Sequence, residues 1–361
     1  MLLDPHRWNL VSRSDAVLAA MPSEMHGSTA AETHGSALEL ATDPHADVAS
    51  AMDELRGLRR RLAGVIEPLG IRAAVAGTHP FVLWEDVEVS PGARYQFLYS
   101  SLRELARREP TFGLHIHVAL PDPDVAVQTY NRMRAHLPVL LALSGNSPYW
   151  QGRDTGLASI RTPLFQAFPR SGIPRLFPTY ADYVEGVDVL LRCDAIPEPT
   201  FLWWDLRLQP RFGTIEMRVM DAQTRVAETA ALSALVQCLV RLEALEGHAP
   251  WGLVSRPEVL EENRFIAARD GMKAMLIDPT VERRRPIREW LEELLAACAP
   301  HAAELGCVEE LRSVRALAAS PGAARQRSCA GHGAAPQLGR LVRALHADFS
   351  SAHSERAVLL V

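Results

Sequence analysis

The chain has 361 residues, 48% of them hydrophobic and 22% charged, with a formal net charge of −5. That is enough apolar material for a large core, and the acidic balance, with no basic stripe interleaved with aromatics, excludes an electrostatic case for nucleic acid. The short basic runs Arg59-Arg60-Arg61 and Arg283-Arg284-Arg285 read as solvated faces.

In chain order, Leu2-Leu3-Asp4-Pro5 reads as the end of a strand, and nothing around it resembles a basic leader followed by an apolar run, so no signal peptide is expected. Residues 25–31 are small and polar and read as loop. Ser36 to Thr42 alternates as a strand and carries Glu39 between Leu38 and Leu40. From Asp47 to Leu69 apolar residues recur at helical spacing, and Gly70 stands just past the end. Residues 71–76 give a short strand, and residues 94–108 a second helix. Gly113 to Val118 is a strand with His115 and His117 opposite Leu114, Ile116 and Val118. Pro123 opens a third helix, which Pro138 should kink.

Asn146 to Pro178 is rich in proline and glycine and reads as one long loop, held in order by Trp150, Phe165, Phe168 and Phe177. Thr179 caps a helix through Leu191, and a hairpin turning at residues 209–213 joins two further strands. One carries Asp205 and Arg207. The other, Phe212 to Asp221, sets Thr214, Glu216 and Arg218 opposite Ile215, Met217 and Val219. From Thr224 onward the pattern is helical, with breaks near residues 247–257, 278–286 and 320–336. Its most apolar window, Ala227 to Leu245, is interrupted by Glu228, Arg241 and Glu243, and reads as a core helix and not a membrane span. Cys193, Cys238, Cys298, Cys307 and Cys329 form no C-x-x-C pair, which fits reduced thiols and a cytoplasmic location.

Short links between strands and an all-helical final third indicate α+β, with a curved antiparallel sheet covered by helices. A single domain is expected over residues 1–361, its C-terminal helical part starting near 263. If the strands bearing Glu39, His115, Asp205 and Glu216 are neighbours, their polar side chains share one concave face. Carboxylates with imidazole suit a divalent ion, and an arginine beside such an ion suits phosphate or carboxylate, so the combination points to phosphoryl transfer. A zinc hydrolase also uses H-x-H on a strand, but its eight-fold strand–helix alternation is missing from the pattern.

Gly77-Thr78-His79-Pro80-Phe81, Gly113-x-His115-x-His117-Val118, the run from Leu143 through Trp150-Gln151-Gly152-Arg153-Asp154-Thr155-Gly156 to Arg161, and Glu216-x-Arg218-Val219-Met220-Asp221 together resemble the type 2 glutamate-cysteine ligase family. The resemblance runs from about Leu2 to Arg327. It implies a glutamine-synthetase-like sheet and ATP-dependent joining of the glutamate side-chain carboxylate to the amine of cysteine through an acyl phosphate. It further implies Mg2+ or Mn2+ held by Glu39, His115 and Glu216, a phosphate contact from Arg218, a substrate-carboxylate contact from Arg161, and support for the nucleotide from His117. The implied partners are ATP and amino acids, with no nucleic acid or membrane, and an open sheet edge permits a homodimer. Family members carry a Gly-Val/Ile-Glu-x-Glu strand directly before the segment matching Leu2 to Pro5, and the sequence begins after it. The alternative is therefore a pseudoenzyme that binds nucleotide or a partner without turnover.

Overall fold

The computed structural model describes residues 1–108, 110–331 and 336–351. Strand β1 (Leu2–Leu3) is followed by α1 (Ser14–Ala19), β2 (Thr29–Ala31), β3 (Leu38–Leu40), α2 (Val48–Ile66) and β4 (Arg72–Ala73). Asp47 caps α2 by accepting from the Ser50 amide at 2.8 Å. Next come α3 (Ala93–Leu102), α4 (Glu104–Arg107), β5 (Gly113–Ala119), α5 (Pro123–Met133) and α6 (Leu137–Ser144). The single helix expected over residues 94–108 is broken at Arg103, whose φ of 56° cannot continue a right-handed helix. Pro138 sits in the first turn of α6, after a 3-10 turn over Arg134–His136 that separates it from α5.

The stretch expected as loop contains short elements: β6 (Tyr149–Trp150), β7 (Arg153–Asp154), α7 (Arg161–Phe165) and β8 (Ser171–Gly172). Beyond it lie α8 (Tyr180–Arg192), opened by a Thr179–Asp182 capping box, then β9 (Trp203–Trp204), β10 (Leu206–Gln209) and β11 (Thr214–Asp221). The last third comprises α9 (Val226–Glu246), α10 (Trp251–Val254), α11 (Pro257–Asp270), β12 (Met275–Asp278), β13 (Arg283–Pro286), α12 (Ile287–Leu305), α13 (Val308–Ala319), α14 (Gly322–Ala330) and α15 (Leu338–Ser350). The expected helix break at 278–286 is thus a β-hairpin. That at 320–336 holds α14, with residues 332–335 outside the described residues.

The core centres on α9. Leu232, Leu235, Val236, Leu239 and Val240 are all buried, so the helix is apolar around its circumference and is enclosed by α2, α5, α12, α13 and β5. Its buried carboxylates are satisfied: Glu243 accepts from the Ala249 amide at 3.0 Å and lies 2.6 Å from His136 Nε2. Residues of α12 and α13 join the same apolar cluster as Ile116, Ile215 and Met217. Among the described residues no helix is long and apolar enough to cross a membrane.

The fold mixes helix with several small sheets, and here the sequence expectation needs correction. Among the described residues β10, β11 and β5 form one three-stranded antiparallel sheet, in that order. Glu39 lies in a separate two-stranded sheet with β2, the stretch expected as loop, and Trp203–Trp204 pairs in parallel with Ser171–Gly172. Chain periodicity marks a strand but carries no information about its partner. The basic run at 59–61 is also not wholly solvated: Arg59 is buried and donates to the carbonyls of Thr224 (2.7 Å) and Gln223 (3.1 Å).

Candidate active site

Register decides what surrounds Glu216. In β11 it stands directly opposite Arg207 of β10 on one side and His117 of β5 on the other, and directly opposed residues point to the same side of a sheet. Arg207 donates from Nε at 2.9 Å and from Nη2 at 2.6 Å to Oε2, while Arg218, two residues along the strand, donates to Oε1. His115 Nδ1 and His117 Nε2 each lie 3.8 Å from Oε1. Burial works to raise the Glu216 carboxyl, but Arg218, His115, Arg207 and His117 overcome it and bring it down to about 2. Arg207 is itself held below its ordinary value by burial and by Arg218. Two guanidiniums therefore share one carboxylate, and the cluster keeps a positive excess. His115, half-buried, is held well below the usual imidazole range, first by desolvation and then by Arg218, and desolvation lowers His117, the more exposed of the two, as well.

The β11–β5 pairing slips between Met217 and Met220, so that Arg218 and Val219 together face His115. Next to this bulge runs the Arg161 side chain, from the first residue of α7. It is buried and donates from Nη1 to the Val219 carbonyl (3.2 Å) and from Nη2 to the Arg218 carbonyl (3.3 Å). Gly113 permits this passage, because a Cβ there would overlap the Arg161 guanidinium. The Nε atoms of Arg161 and Arg218 are buried without a hydrogen-bond partner. Both arginines line a narrow cavity with Thr162, Phe165, Trp203, Trp204, Asp205 and Arg264. Inside it Asp205 is taken by Arg264, which also donates to Gln166 at 2.9 Å. A neighbouring cavity of about 260 Å³ lies between α7 and α11 and presents Glu258, Glu261 and Glu262.

Glu39 reaches the same region from its own sheet, close enough for Arg218 and Glu216 to act on it. Glu39 keeps an exposed surface, yet desolvation by the side chains around it and then Glu32 push its carboxyl up to about 6, with Arg218 opposing and Glu216 adding to the rise. The carboxylates of Glu39 and Glu216 with the His115 imidazole beside Glu216 are a donor set chemically suited to a divalent ion. As placed, however, no group of three or more His, Cys, Asp or Glu side chains among the described residues converges to hold one. Both oxygens of Glu216 are engaged by guanidiniums.

The structure thus brings Glu216, Arg218, His115 and His117 into contact, sets Arg161 at the adjoining cavity, and places Glu39 within electrostatic reach. Asp221 and His79, both within the motif runs, are internal supports. Asp221 is fully buried and accepts from the Asn146 amide (2.8 Å), Ser147 Oγ (2.6 Å) and Ser159 Oγ (2.8 Å). His79 Nε2 donates to the Trp8 carbonyl at 2.9 Å. In the sequence Arg207 stands on the polar side of its strand with no role marked for it, and nothing local marks Arg264 or Glu32. Arg207's i-to-i+2 relation to Asp205 was visible. Arg264 on α11 carries no local signal, since only the packing of α11 beside α7 brings it to Asp205.

An all-round core helix beside a small antiparallel sheet belongs to a fold also found in a ligase of known structure. The crystal structure of glutamate–cysteine ligase from Francisella tularensis in complex with AMP superposes with a TM-score of 0.66, covering 97% of this chain and 87% of that one at 13% identity. The family model of glutamate-cysteine ligase family 2 matches residues 1–344. The "Putative glutamate--cysteine ligase 2-1" of Rubrobacter xylanophilus is 39% identical over 327 residues, covering 90% of this chain and 87% of the relative. The protein called 2-3 from the same organism is 40% identical over 329 residues, covering 91% and 89%. The chain belongs to glutamate-cysteine ligase family 2 and is a ligase-like enzyme.

Proposed function

We propose that this chain is an ATP-dependent carboxylate–amine ligase of the cytoplasm, joining the side-chain carboxylate of glutamate to the amine of cysteine. The observation that carries the reading is the cluster of Arg207 and Arg218 on the single carboxylate of Glu216, beside the partner-free Nε atoms of Arg218 and Arg161. A positive excess with unused donors is what a transferring phosphoryl group and a substrate carboxylate call for. The AMP bound to the Francisella ligase supports an adenine nucleotide here.

In this mechanism a glutamate carboxylate oxygen attacks the terminal phosphorus of ATP and ADP leaves, giving an acyl phosphate. The amine of cysteine then adds to the acyl carbon, loses its proton, and expels phosphate. Arg218 stabilises charge on the phosphoryl oxygens, Arg161 fixes a substrate carboxylate, and His117 flanks the phosphate chain. The residues would face the nucleotide from the polar side of the β10–β11–β5 sheet, with Glu39 reaching in from its separate sheet. A magnesium or manganese ion held by Glu39, His115 and Glu216 would neutralise phosphate charge, and Arg218 would have to release Oε1 to admit it.

The test is ADP formation with magnesium-ATP, glutamate and cysteine. Arg218→Lys keeps the charge and loses the fork, and the expected loss in kcat/KM is about 100-fold with an unchanged melting temperature. Full activity of that variant would sink the assignment. ATP binding with no ADP formed under any amino-acid pair would select the second reading, a non-turning-over relative, which the engagement of both Glu216 oxygens favours.

A further inference from the structure

The hairpin that presents Glu216 turns through Pro210-Arg211-Phe212-Gly213, and Phe212 at its tip is 60% exposed. An exposed phenylalanine makes no contribution to the core, yet this one is ordered against the site. Its ring meets His117 edge to face, with centroids 6.0 Å apart and planes at 74°. The Arg211 guanidinium lies 5.7 Å from the Phe212 ring centroid. His117 stands on β5 directly across from Glu216, with Nε2 3.8 Å from Glu216 Oε1 and Nδ1 2.9 Å from Thr214 Oγ1, so it touches both Phe212 at the hairpin tip and the Glu216–Arg218 cluster. Three residues separate Phe212 from Glu216, a span of at most about 14 Å over the four steps. That span suits the reach of an extended nucleoside triphosphate from its base to its terminal phosphate.

We infer that Phe212 is the stacking platform for the nucleotide base, with the triphosphate running past His117 to Arg218. The assignment rests on the proposed ATP-dependent reaction and adds the residue that orients the nucleotide. It also sets direction: the base lies at the open hairpin tip, and the phosphates point toward the cavity lined by Arg161, Trp203 and Trp204. The acid substrate then approaches from the end opposite the base, as an attack on the terminal phosphorus requires. Stacking on an aromatic face tolerates any base, so discrimination among purines at this position is weak.

The test is calorimetric binding of magnesium-ATP and of magnesium tripolyphosphate to the full chain, as wild type, Phe212→Ala and Phe212→Tyr. Phe212→Ala should weaken ATP about tenfold (about 1.4 kcal/mol) and leave tripolyphosphate within twofold. Phe212→Tyr should restore ATP affinity. Unchanged ATP affinity in Phe212→Ala, or equal losses for ATP and tripolyphosphate, overturns the base site. Because Phe212 is exposed, all three proteins should share one melting temperature. Failure of the ligase reading shows separately: a chain that forms no amino-acid-dependent ADP but loses ATP affinity in Phe212→Ala keeps the base site, whereas a wild type that binds no ATP overturns both.

Discussion

Replacing His79 with glutamine should make the fold markedly less sensitive to mild acid. His79 is buried; its Nε2–H donates to the Trp8 carbonyl at 2.9 Å, and its Nδ1 accepts from the amides of Phe81 (3.3 Å) and Val82 (3.2 Å). Protonating Nδ1 would set an N–H against two N–H groups, and burial brings the imidazole down to about 4 from its ordinary 6.5. Between those values the unfolded chain binds more protons than the folded one, so stability rises with pH across that window and falls as pH drops through it. Integrating between pH 7 and pH 5, this one group costs about 2 kcal/mol. Glutamine does not titrate. Urea unfolding of both proteins at pH 7 and pH 5 should show wild type losing about 2 kcal/mol more than His79→Gln, whatever the fixed cost of the substitution. Equal losses in the two proteins would refute the assignment of a buried neutral imidazole clamping Trp8.

Gly77→Ala should lower the melting temperature by several degrees, because a Cβ there would lie 2.6 Å from Asp221 Cγ and 2.9 Å from Ser147 Cβ, an overpacking that costs about 2 to 3 kcal/mol. Thermal unfolding that matches wild type would show that Asp221 has room to move. Thr179→Ala should destabilise by about 1 kcal/mol through loss of the α8 capping box, with Thr179→Ser retaining most of it, as read by denaturant unfolding. Glu216→Gln should abolish amino-acid-dependent ADP formation and also destabilise by about 3 kcal/mol at neutral pH, since Arg207 and Arg218 lose their common counter-charge. Activity above a tenth of wild type in that variant would contradict the central place given to this carboxylate.

The sequence by itself determined the local elements and the chemistry they bear. Two-residue alternation placed His115 with His117 and Glu216 with Arg218 on shared sides, Asp47 and Thr179 announced helix starts, and the order of the motif runs was enough to suggest the family. Each of these depends on neighbours within a few positions, where backbone geometry fixes direction. Only the tertiary structure decided which strands meet. It separated the Glu39 strand from the central sheet, gave β2 to a stretch without strand periodicity, and delivered Arg264 to Asp205 from 59 residues away. It also decided that two arginines engage Glu216, and that His79 and Asp221 serve the scaffold. Pairing and burial are sums over distant segments, and a side chain's type constrains them only after the chain has closed around it.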